Sequence, residues 1–115
     1  MGELQAIVRF TFHADKVEDF KRLSAECLEI VRTKDAGTLQ YDTYFNEDES
    51  ESIVLERFRD SDALILHGQN MDPFMDSIMA TATVSGELLG DLSEELQAQM
   101  DGSPVGLFTL YQALE

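Results

Sequence analysis

The sequence contains no tryptophan, one cysteine and only two histidines in 115 residues. The single cysteine, Cys27, excludes an intrachain disulfide and a thiolate cluster that could hold zinc. The two histidines, His13 and His67, lack the close spacing of a metal-binding pair. We therefore expect no disulfide and no bound metal ion.

Basic residues and long apolar runs are also scarce. Eight lysines and arginines stand against 23 acidic residues, which gives a net charge of −15. This charge repels phosphate backbones and anionic lipids, so neither nucleic acid nor a membrane is an expected partner. The longest apolar run, residues 63–66, is far shorter than the roughly 20 residues that cross a bilayer. No signal peptide is recognisable, and we expect a cytoplasmic protein.

The apolar residues that are present, 43% of the chain, predict one globular domain over residues 1–115. Residues 4–13 and 38–46 alternate between apolar and polar side chains, which predicts strands. Between them, apolar residues recur every three or four positions, which predicts an amphipathic helix that stops at Gly37. A third alternating run, 52–59, follows an acidic turn and completes a hairpin with residues 38–46.

The second half of the chain continues with capping residues, a proline and weaker alternation. The resulting order, β-α-β-β-α-α-β-α-β, favours an α+β fold of the ferredoxin-like split β-α-β type, with helices on one face of an antiparallel sheet. The further elements are a short helix from Asp60 or Ser61 to about His67, a helix starting at Asp72 and Pro73, a strand over 83–90, a helix from Asp91, and a strand over 104–114.

His67 and Tyr41 are the candidate catalytic residues. A histidine titrates near neutral pH, so His67 could act as an acid or base, or orient a phenolic oxygen. Alternatively, it holds the end of its helix by bonding a backbone carbonyl. Tyr41 is predicted to lie under the helices near His67, where its hydroxyl could donate to a substrate, although half-buried strand tyrosines are common.

Apolar side chains are predicted to line the space between the sheet and the helices. Because side chains alternate along a strand, the apolar side chains of the first strand are predicted to face the helices. The methionine-rich stripe near the helix that starts at Asp72 could form an adaptable wall of this space, or it could be ordinary core. The predicted lining residues are Val8, Phe10, Phe12, Leu39, Phe74, Met75 and Ile78.

The opposite sheet face has no helix to cover it. If Ile53 and Leu55 face the helices, Glu56 lies on this open face beside Arg9. We expect Arg9 and Glu56 to form an ion pair at a contact with a second subunit, because an exposed, half-apolar sheet face is typical of an interface.

Three segments together resemble the antibiotic biosynthesis monooxygenase family: residues 6–23, 36–48 and 53–67. They include an aromatic-rich second strand after a glycine, a Glu-Arg-aromatic sequence leading into the second helix, and a histidine near that helix's end. The resemblance covers roughly residues 6–74, and the last forty residues fit the family less clearly.

This resemblance implies a ferredoxin-like monomer that pairs into a dimeric α+β barrel with a pocket in each monomer. It implies a monooxygenase that oxidises a small aromatic or quinol-like compound with O2 and uses no metal, flavin or other cofactor. Fold resemblance alone does not establish activity, so a non-catalytic homodimer that binds a small apolar ligand or stabilises a partner is the alternative. A haem-degrading branch with this fold resembles the chain less, since that branch uses a tryptophan.

Overall fold

The computed structural model describes residues 2–114 and shows an α+β fold, as predicted. Helices pack on one face of a five-stranded sheet with strand order β2-β3-β1-β4-β5, in which only the β4–β5 pair is parallel. This is the ferredoxin-like arrangement that the element order predicted. The elements are β1 (Leu4–Phe12), α1 (Val17–Lys34), β2 (Thr38–Phe45), β3 (Glu51–Phe58), α2 (Ser61–Met71), a 3₁₀ turn (Asp72–Phe74), α3 (Met75–Met79), β4 (Ala82–Leu89), α4 (Glu94–Met100) and β5 (Gly106–Phe108).

The core between sheet and helices is built from aromatic and small side chains. Phe20 of α1 packs against Phe10 and Phe12 of β1, with ring centroids 4.9 and 4.8 Å apart. A second cluster joins Phe58 to Ala63 of α2. None of the helices in residues 2–114 has the length and apolar character needed to cross a bilayer.

Two predicted boundaries were wrong. Helix α2 continues past His67 to Met71, because the polar residue Asn70 has partners beyond the helix, at the end of α1. The final strand spans only Gly106–Phe108 rather than 104–114. Pro104 has no N–H to donate, and β4 ends at Leu89, which is paired with Phe108.

The assignment of the two faces of β3 was also wrong. Glu56 lies opposite Ala6 of β1 and Tyr41 of β2, so it faces the helices. The predicted ion pair with Arg9 is therefore absent; Arg9 instead binds Glu87 of β4, with Nη1 and Oε1 2.5 Å apart. The sequence did not resolve this choice, because residues 53–58 place two apolar residues and one charge on each face of β3.

The open face of the sheet carries a mixture of apolar and charged side chains. Ile53 lies between Arg9 of β1 and Tyr44 of β2 in the register of the three strands. Both Ile53 and Tyr44 remain substantially exposed, at 38% and 53%. No helix of residues 2–114 covers this face, and the predicted dimer would bury it.

Candidate active site

The turn between α1 and β2 places a carboxylate inside the protein. Asp35 leaves helical geometry at the end of α1, with ψ at 72°, while its N–H still donates to the Val31 carbonyl oxygen at 3.3 Å. Gly37 then adopts a φ of +95°, and a Cβ there would lie 2.7 Å from the Ala63 Cβ. This close turn is compatible with glycine alone, and it leaves the Asp35 side chain with no exposed surface.

Asp35 binds two side chains that lie one turn apart on α2. Its Oδ2 is 2.5 Å from Nδ1 of His67, and Nδ2 of Asn70 donates to its Oδ1 at 2.5 Å. The Thr38 hydroxyl donates to Oδ2 at 3.4 Å. Because a carboxylate accepts and does not donate, Nδ1 of His67 is the donor in this pair. When the ring is neutral, its lone pair therefore lies on Nε2.

Glu56 lies on the Nε2 side of His67. Its Oε1 is 3.8 Å from Nε2, and its side chain is 10% exposed. Among the residues that the structure describes, nothing donates a hydrogen bond to this carboxyl. Burial raises the pKa of Glu56 to about 7; the nearby Asp35 raises it further, and His67 opposes the shift. Near neutral pH, Glu56 is therefore a buried carboxyl that can hold or release a proton.

Tyr41 completes the cluster from β2. It lies directly opposite Glu56 in the strand pairing, and its ring centroid is 5.5 Å from that of His67. Burial raises the pKa of Tyr41 above its ordinary value, so its hydroxyl stays protonated and can donate. Phe58 packs on His67 from the sheet, with ring centroids 5.2 Å apart. The structure thus brings together the two predicted catalytic residues.

His67 does not have the structural role that the sequence offered as the alternative. It lies in the middle of α2 and is buried. Its ring nitrogens face Asp35 and Glu56 instead of a backbone carbonyl. An Asp–His–Glu series next to a tyrosine provides a proton acceptor and two proton donors at one place, which is the equipment of general acid–base catalysis.

A groove of about 600 Å³ runs between α1 and the edge strand β2, open to solvent. Tyr41 belongs both to the lining of this groove and to the buried cluster. His67 does not line the groove and lies behind Tyr41. The groove therefore reaches the cluster through Tyr41. Its lining residues are Lys21, Ser24, Ala25, Leu28, Tyr41, Asp42, Thr43, Tyr44 and Phe45.

The seven predicted pocket residues do not line this groove. Phe10 is part of the core, against which Val8, Phe12 and Ile78 pack. A shift in the pairing of β2 with β3 at Thr38–Gln40 coincides with exposure of Leu39. Met75 is also exposed and Phe74 half-buried.

Two residues of the cluster, Asp35 and Asn70, were not predicted from the sequence, and neither was the inward orientation of Glu56. One signal was present. Asp35 follows a helix whose last turn carries Arg32 and Lys34, and an acid at this position opposes the helix dipole. The negative charge of such a residue needs a compensating hydrogen-bond donor, which here comes from α2.

The other ionisable groups do not extend the cluster. Cys27 is buried in α1, and burial raises the pKa of its thiol to about 11, with Glu26 contributing. It is therefore protonated and unreactive at neutral pH. His13 is exposed, with Nδ1 3.2 Å from the Ala80 carbonyl oxygen. Within residues 2–114, no three His, Cys, Asp or Glu side chains are grouped so that they could hold a metal ion.

The burial of Glu56 predicts a measurable pH dependence of stability. The folded protein holds this proton up to about pH 7, whereas an ordinary glutamate releases it near 4.5. The folded state therefore binds more protons within this window, and stability falls as pH rises through it. The difference corresponds to about 3 kcal/mol of free energy of unfolding.

The substitution Glu56→Gln removes this titration and keeps the shape of the side chain. We expect the variant to gain about 3 kcal/mol relative to the wild type between pH 4.5 and 8, as measured by urea unfolding at several pH values. Glu94→Gln, at an exposed position at the start of α4, is the matched control. Parallel stability curves for wild type and Glu56→Gln would show that Glu56 is ionised normally.

Comparison with known proteins places the chain in a family. The family model described as antibiotic biosynthesis monooxygenase matches residues 4–72, which is more than half of the chain. No curated protein sequence matches significantly. Among solved structures, MupZ from Pseudomonas fluorescens is 23% identical with a TM-score of 0.86, over 100% of this chain and 91% of that one.

Other solved structures share the fold at similar identity. Rv0793 from Mycobacterium tuberculosis is 24% identical over 81% of this chain and 98% of its own, with a TM-score of 0.71. SnoaB from Streptomyces nogalater, described as a cofactor-independent oxygenase, is 17% identical over 81% and 96%, with a TM-score of 0.69. At these identities the structures establish the fold, and the family match carries the assignment: the chain belongs to the antibiotic biosynthesis monooxygenase family.

Proposed function

We propose that the protein is a cofactor-independent monooxygenase that oxidises a small aromatic or quinol-like compound with O2. The observation that carries this proposal is the position of His67. Its Nδ1 is held by the buried Asp35, and its Nε2 is directed at Glu56 beside Tyr41. Family membership supports an oxygenase of this kind, and the cluster supplies the proton transfers that it needs.

The first step of such a reaction is removal of a proton from an activated C–H or phenolic O–H group. Nε2 of neutral His67 is the base, and Asp35 stabilises the imidazolium that forms. Tyr41 can donate a hydrogen bond to the oxygen on which negative charge develops. The burial of His67 and Glu56 keeps water away and strengthens both interactions.

The electron-rich anion then reduces O2. For a methylene carbon, addition of O2 and a proton gives a hydroperoxide. Loss of the second hydrogen from this carbon, with cleavage of the O–O bond, gives a ketone and water. One oxygen atom enters the product and the other leaves as water, so no external reductant is required. Protonated Glu56 is placed to donate the proton to the departing oxygen.

The groove fits a flat, apolar substrate. Leu28 and Phe45 give it apolar walls, and Tyr41 lies where it meets the buried cluster. Movement of the Tyr41 side chain is the shortest route from the groove to His67, because the two rings are in van der Waals proximity. The substrate's reactive oxygen would enter first.

An oxygen-electrode assay with anthrone tests the proposal, because anthrone has an activated methylene next to an aromatic ketone. We expect the protein to accelerate O2 uptake above the rate in buffer, with one O2 consumed per anthraquinone formed. The rate should be unchanged by a chelator. Activity that appears only after addition of iron, flavin or haem would contradict the proposal.

One observation favours a second candidate, a small-ligand-binding protein without turnover. The groove is open, and His67 is separated from it by Tyr41. In that case anthrone would quench the fluorescence of Tyr41 and Tyr44 on binding, with no increase in O2 uptake. The wild-type oxygen-electrode trace therefore separates the two candidates.

We further propose that the protein acts as a homodimer through the open face of the sheet, where Ile53 and Tyr44 are exposed. Ile53→Glu should shift the dimer toward monomer by at least tenfold in dissociation constant, because it places a charge at the centre of the contact. Met79→Glu, at an exposed position on α3, is the control. Sedimentation velocity at micromolar concentration measures both, and a monomeric wild type would refute the proposal.

A further inference from the structure

The Glu56 carboxyl has no hydrogen-bond partner in the part of the chain that the structure describes. The hydrogen bonds of the cluster lie on the other side of His67, where His67 and Asn70 bind Asp35. On the near side, 3.8 Å separates Nε2 of His67 from Oε1 of Glu56, which is longer than a hydrogen bond. On β1 the residue opposite Glu56 is Ala6, which has no polar side-chain atom. The carboxyl and Nε2 are therefore both free to bind a ligand.

Tyr41 places a hydroxyl beside this carboxyl. Tyr41 and Glu56 are directly opposite each other in the pairing of β2 with β3, on the side of the sheet that faces the helices. Side chains at such positions have Cβ atoms about 5 Å apart. His67 and Glu56 keep 9% and 10% of their side-chain surface accessible, so the protein around the cluster does not seal it completely.

Glu56 can donate a hydrogen bond only while it holds its proton. Burial raises its pKa to about 7, against the effect of His67 and with a contribution from Asp35. The titratable groups that face Glu56 come from three elements: His67 from α2, Asp35 from the turn after α1, and Tyr41 from β2. A neutral carboxylic acid next to a phenol is an arrangement that stabilises negative charge on a bound oxygen.

The three free groups match the hydrogen-bonding capacity of one phenolic hydroxyl. Such a hydroxyl accepts two hydrogen bonds through its oxygen and donates one. Protonated Glu56 and Tyr41 supply the two donors, and Nε2 of neutral His67 supplies the acceptor. An alcohol that cannot stabilise negative charge gains less from this arrangement than a hydroxyl attached to an aromatic ring.

We propose that protonated Glu56 and Tyr41 together bind the oxygen of a hydroxyarene, while His67 accepts the hydrogen of the same hydroxyl. Glu56 then recognises the ligand before any reaction with O2 takes place. This inference rests on the proposed function, because it concerns the same site, and it adds the ligand's chemical class and the group on it that is recognised. Ionisation of Glu56 removes one donor and places a negative charge against the ligand oxygen, so binding is lost at high pH.

Equilibrium dialysis of 2-naphthol against the full-length protein, without O2 and between about pH 6 and 8.5, tests the proposal. The ligand keeps its own proton over this range, since phenols ionise near pH 10. The complex must retain the Glu56 proton, which the free protein loses above about pH 7. Affinity should therefore fall by about tenfold per pH unit above that point, relative to the Glu56→Gln variant. Comparison with this variant cancels any change caused by His67, which both proteins share.

Substitutions at position 56 separate donation from shape. Glu56→Gln keeps an N–H donor at every pH, so it should bind 2-naphthol within about threefold of the wild type at pH 6 and lack the decline. Glu56→Leu has no donor and should bind about tenfold more weakly at pH 6. Glu94→Gln, at an exposed position at the start of α4, is the control and should reproduce the wild-type curve.

Three results would overturn the proposal. The first is an affinity that rises above pH 7 in the wild type but not in Glu56→Gln, because ionised Glu56 would then be an acceptor for the ligand. The second is the same pH profile in both proteins. The third is full affinity in a Glu56→Leu variant that circular dichroism shows to be folded. If Glu56→Leu does not fold, the comparison of wild type with Glu56→Gln still decides the question.

Naphthalene shows whether the hydroxyl is the group that the site recognises. It has the same rings and no oxygen, so it should bind about tenfold more weakly than 2-naphthol at pH 6, with no dependence on pH. Equal affinities for the two ligands, or no binding of 2-naphthol, would also overturn the proposal. None of these measurements involves O2. Anthrone turnover by a protein that fails them would keep the proposed function and remove only this inference.

Discussion

Replacement of His67 by alanine is expected to lower anthrone turnover by about 10²–10⁴-fold, the usual contribution of a general base. Nδ1 of this ring is bound to Asp35, and Nε2 is the ring nitrogen that faces Glu56 in the buried cluster. Asp35 is already bound by His67 and Asn70, and Glu56 is substantially protonated near neutral pH. Neither carboxyl can readily substitute as the base.

The only other histidine provides the matched control. His13 is exposed and lies at the end of β1, away from the cluster, so His13→Ala should keep full turnover. Circular dichroism and thermal unfolding should show that both variants are folded at the assay temperature. A folded His67→Ala variant with unchanged turnover would assign this histidine a purely structural role.

Asp35→Asn is expected to reduce turnover nearly as much as loss of the histidine, by about 10²–10⁴-fold, although Asp35 does not reach the groove. An amide at this position can donate to Nδ1, which favours the ring tautomer with its hydrogen on Nε2. The unprotonated ring nitrogen is then Nδ1, which faces position 35 and not Glu56. The positive charge that His67 gains during proton abstraction also loses its counter-charge.

A spectroscopic measurement separates this effect from simple damage to the fold. The 15N chemical shifts of His67 should report Nδ1–H in the wild type and a shift toward Nε2–H in Asp35→Asn. Asp91→Asn, in the exposed loop before α4, should change neither the tautomer nor the turnover. Retention of the Nδ1–H tautomer together with wild-type turnover would show that Asp35 does not position His67.

The fold was predictable because its signals are local. Alternation in residues 4–13 and helical periodicity after it depend only on neighbours along the chain. The correct proximity of Tyr41 and His67 followed from strand parity and element order, together with the position of the histidine in the second helix. These inferences did not require knowing which residues of distant strands pair with each other.

The orientation of Glu56 was not predictable in the same way. Val54 and Phe58 on its side of β3 balance Ile53 and Leu55 on the other, so composition favours neither face. Pairing with β1 decides it, since Phe58 lies opposite the fully buried Leu4. The carboxyl is placed inside by its strand neighbours, at a cost in desolvation that appears as its raised pKa.

The contact of Asp35 with His67 could not be predicted for a different reason. Its contact with His67 joins residues 32 positions apart and depends on the angle at which α2 crosses the end of α1. Gly37 lies close to α2 at this point, since a Cβ at Gly37 would be 2.7 Å from the Ala63 Cβ. Sequence pattern identifies the glycine as a helix stop but contains no information on which helix will pack against it.

Anaerobic deuterium exchange tests the central claim, that the Asp35–His67–Glu56–Tyr41 cluster transfers protons to and from a bound substrate. Anthrone in D2O without oxygen should exchange its methylene hydrogens faster with wild type than with buffer, and His67→Ala should abolish the acceleration. Admission of ¹⁸O2 to the wild-type sample should then give anthraquinone carrying one ¹⁸O atom. Exchange at the buffer rate with wild type, or equal acceleration by His67→Ala, would contradict the account.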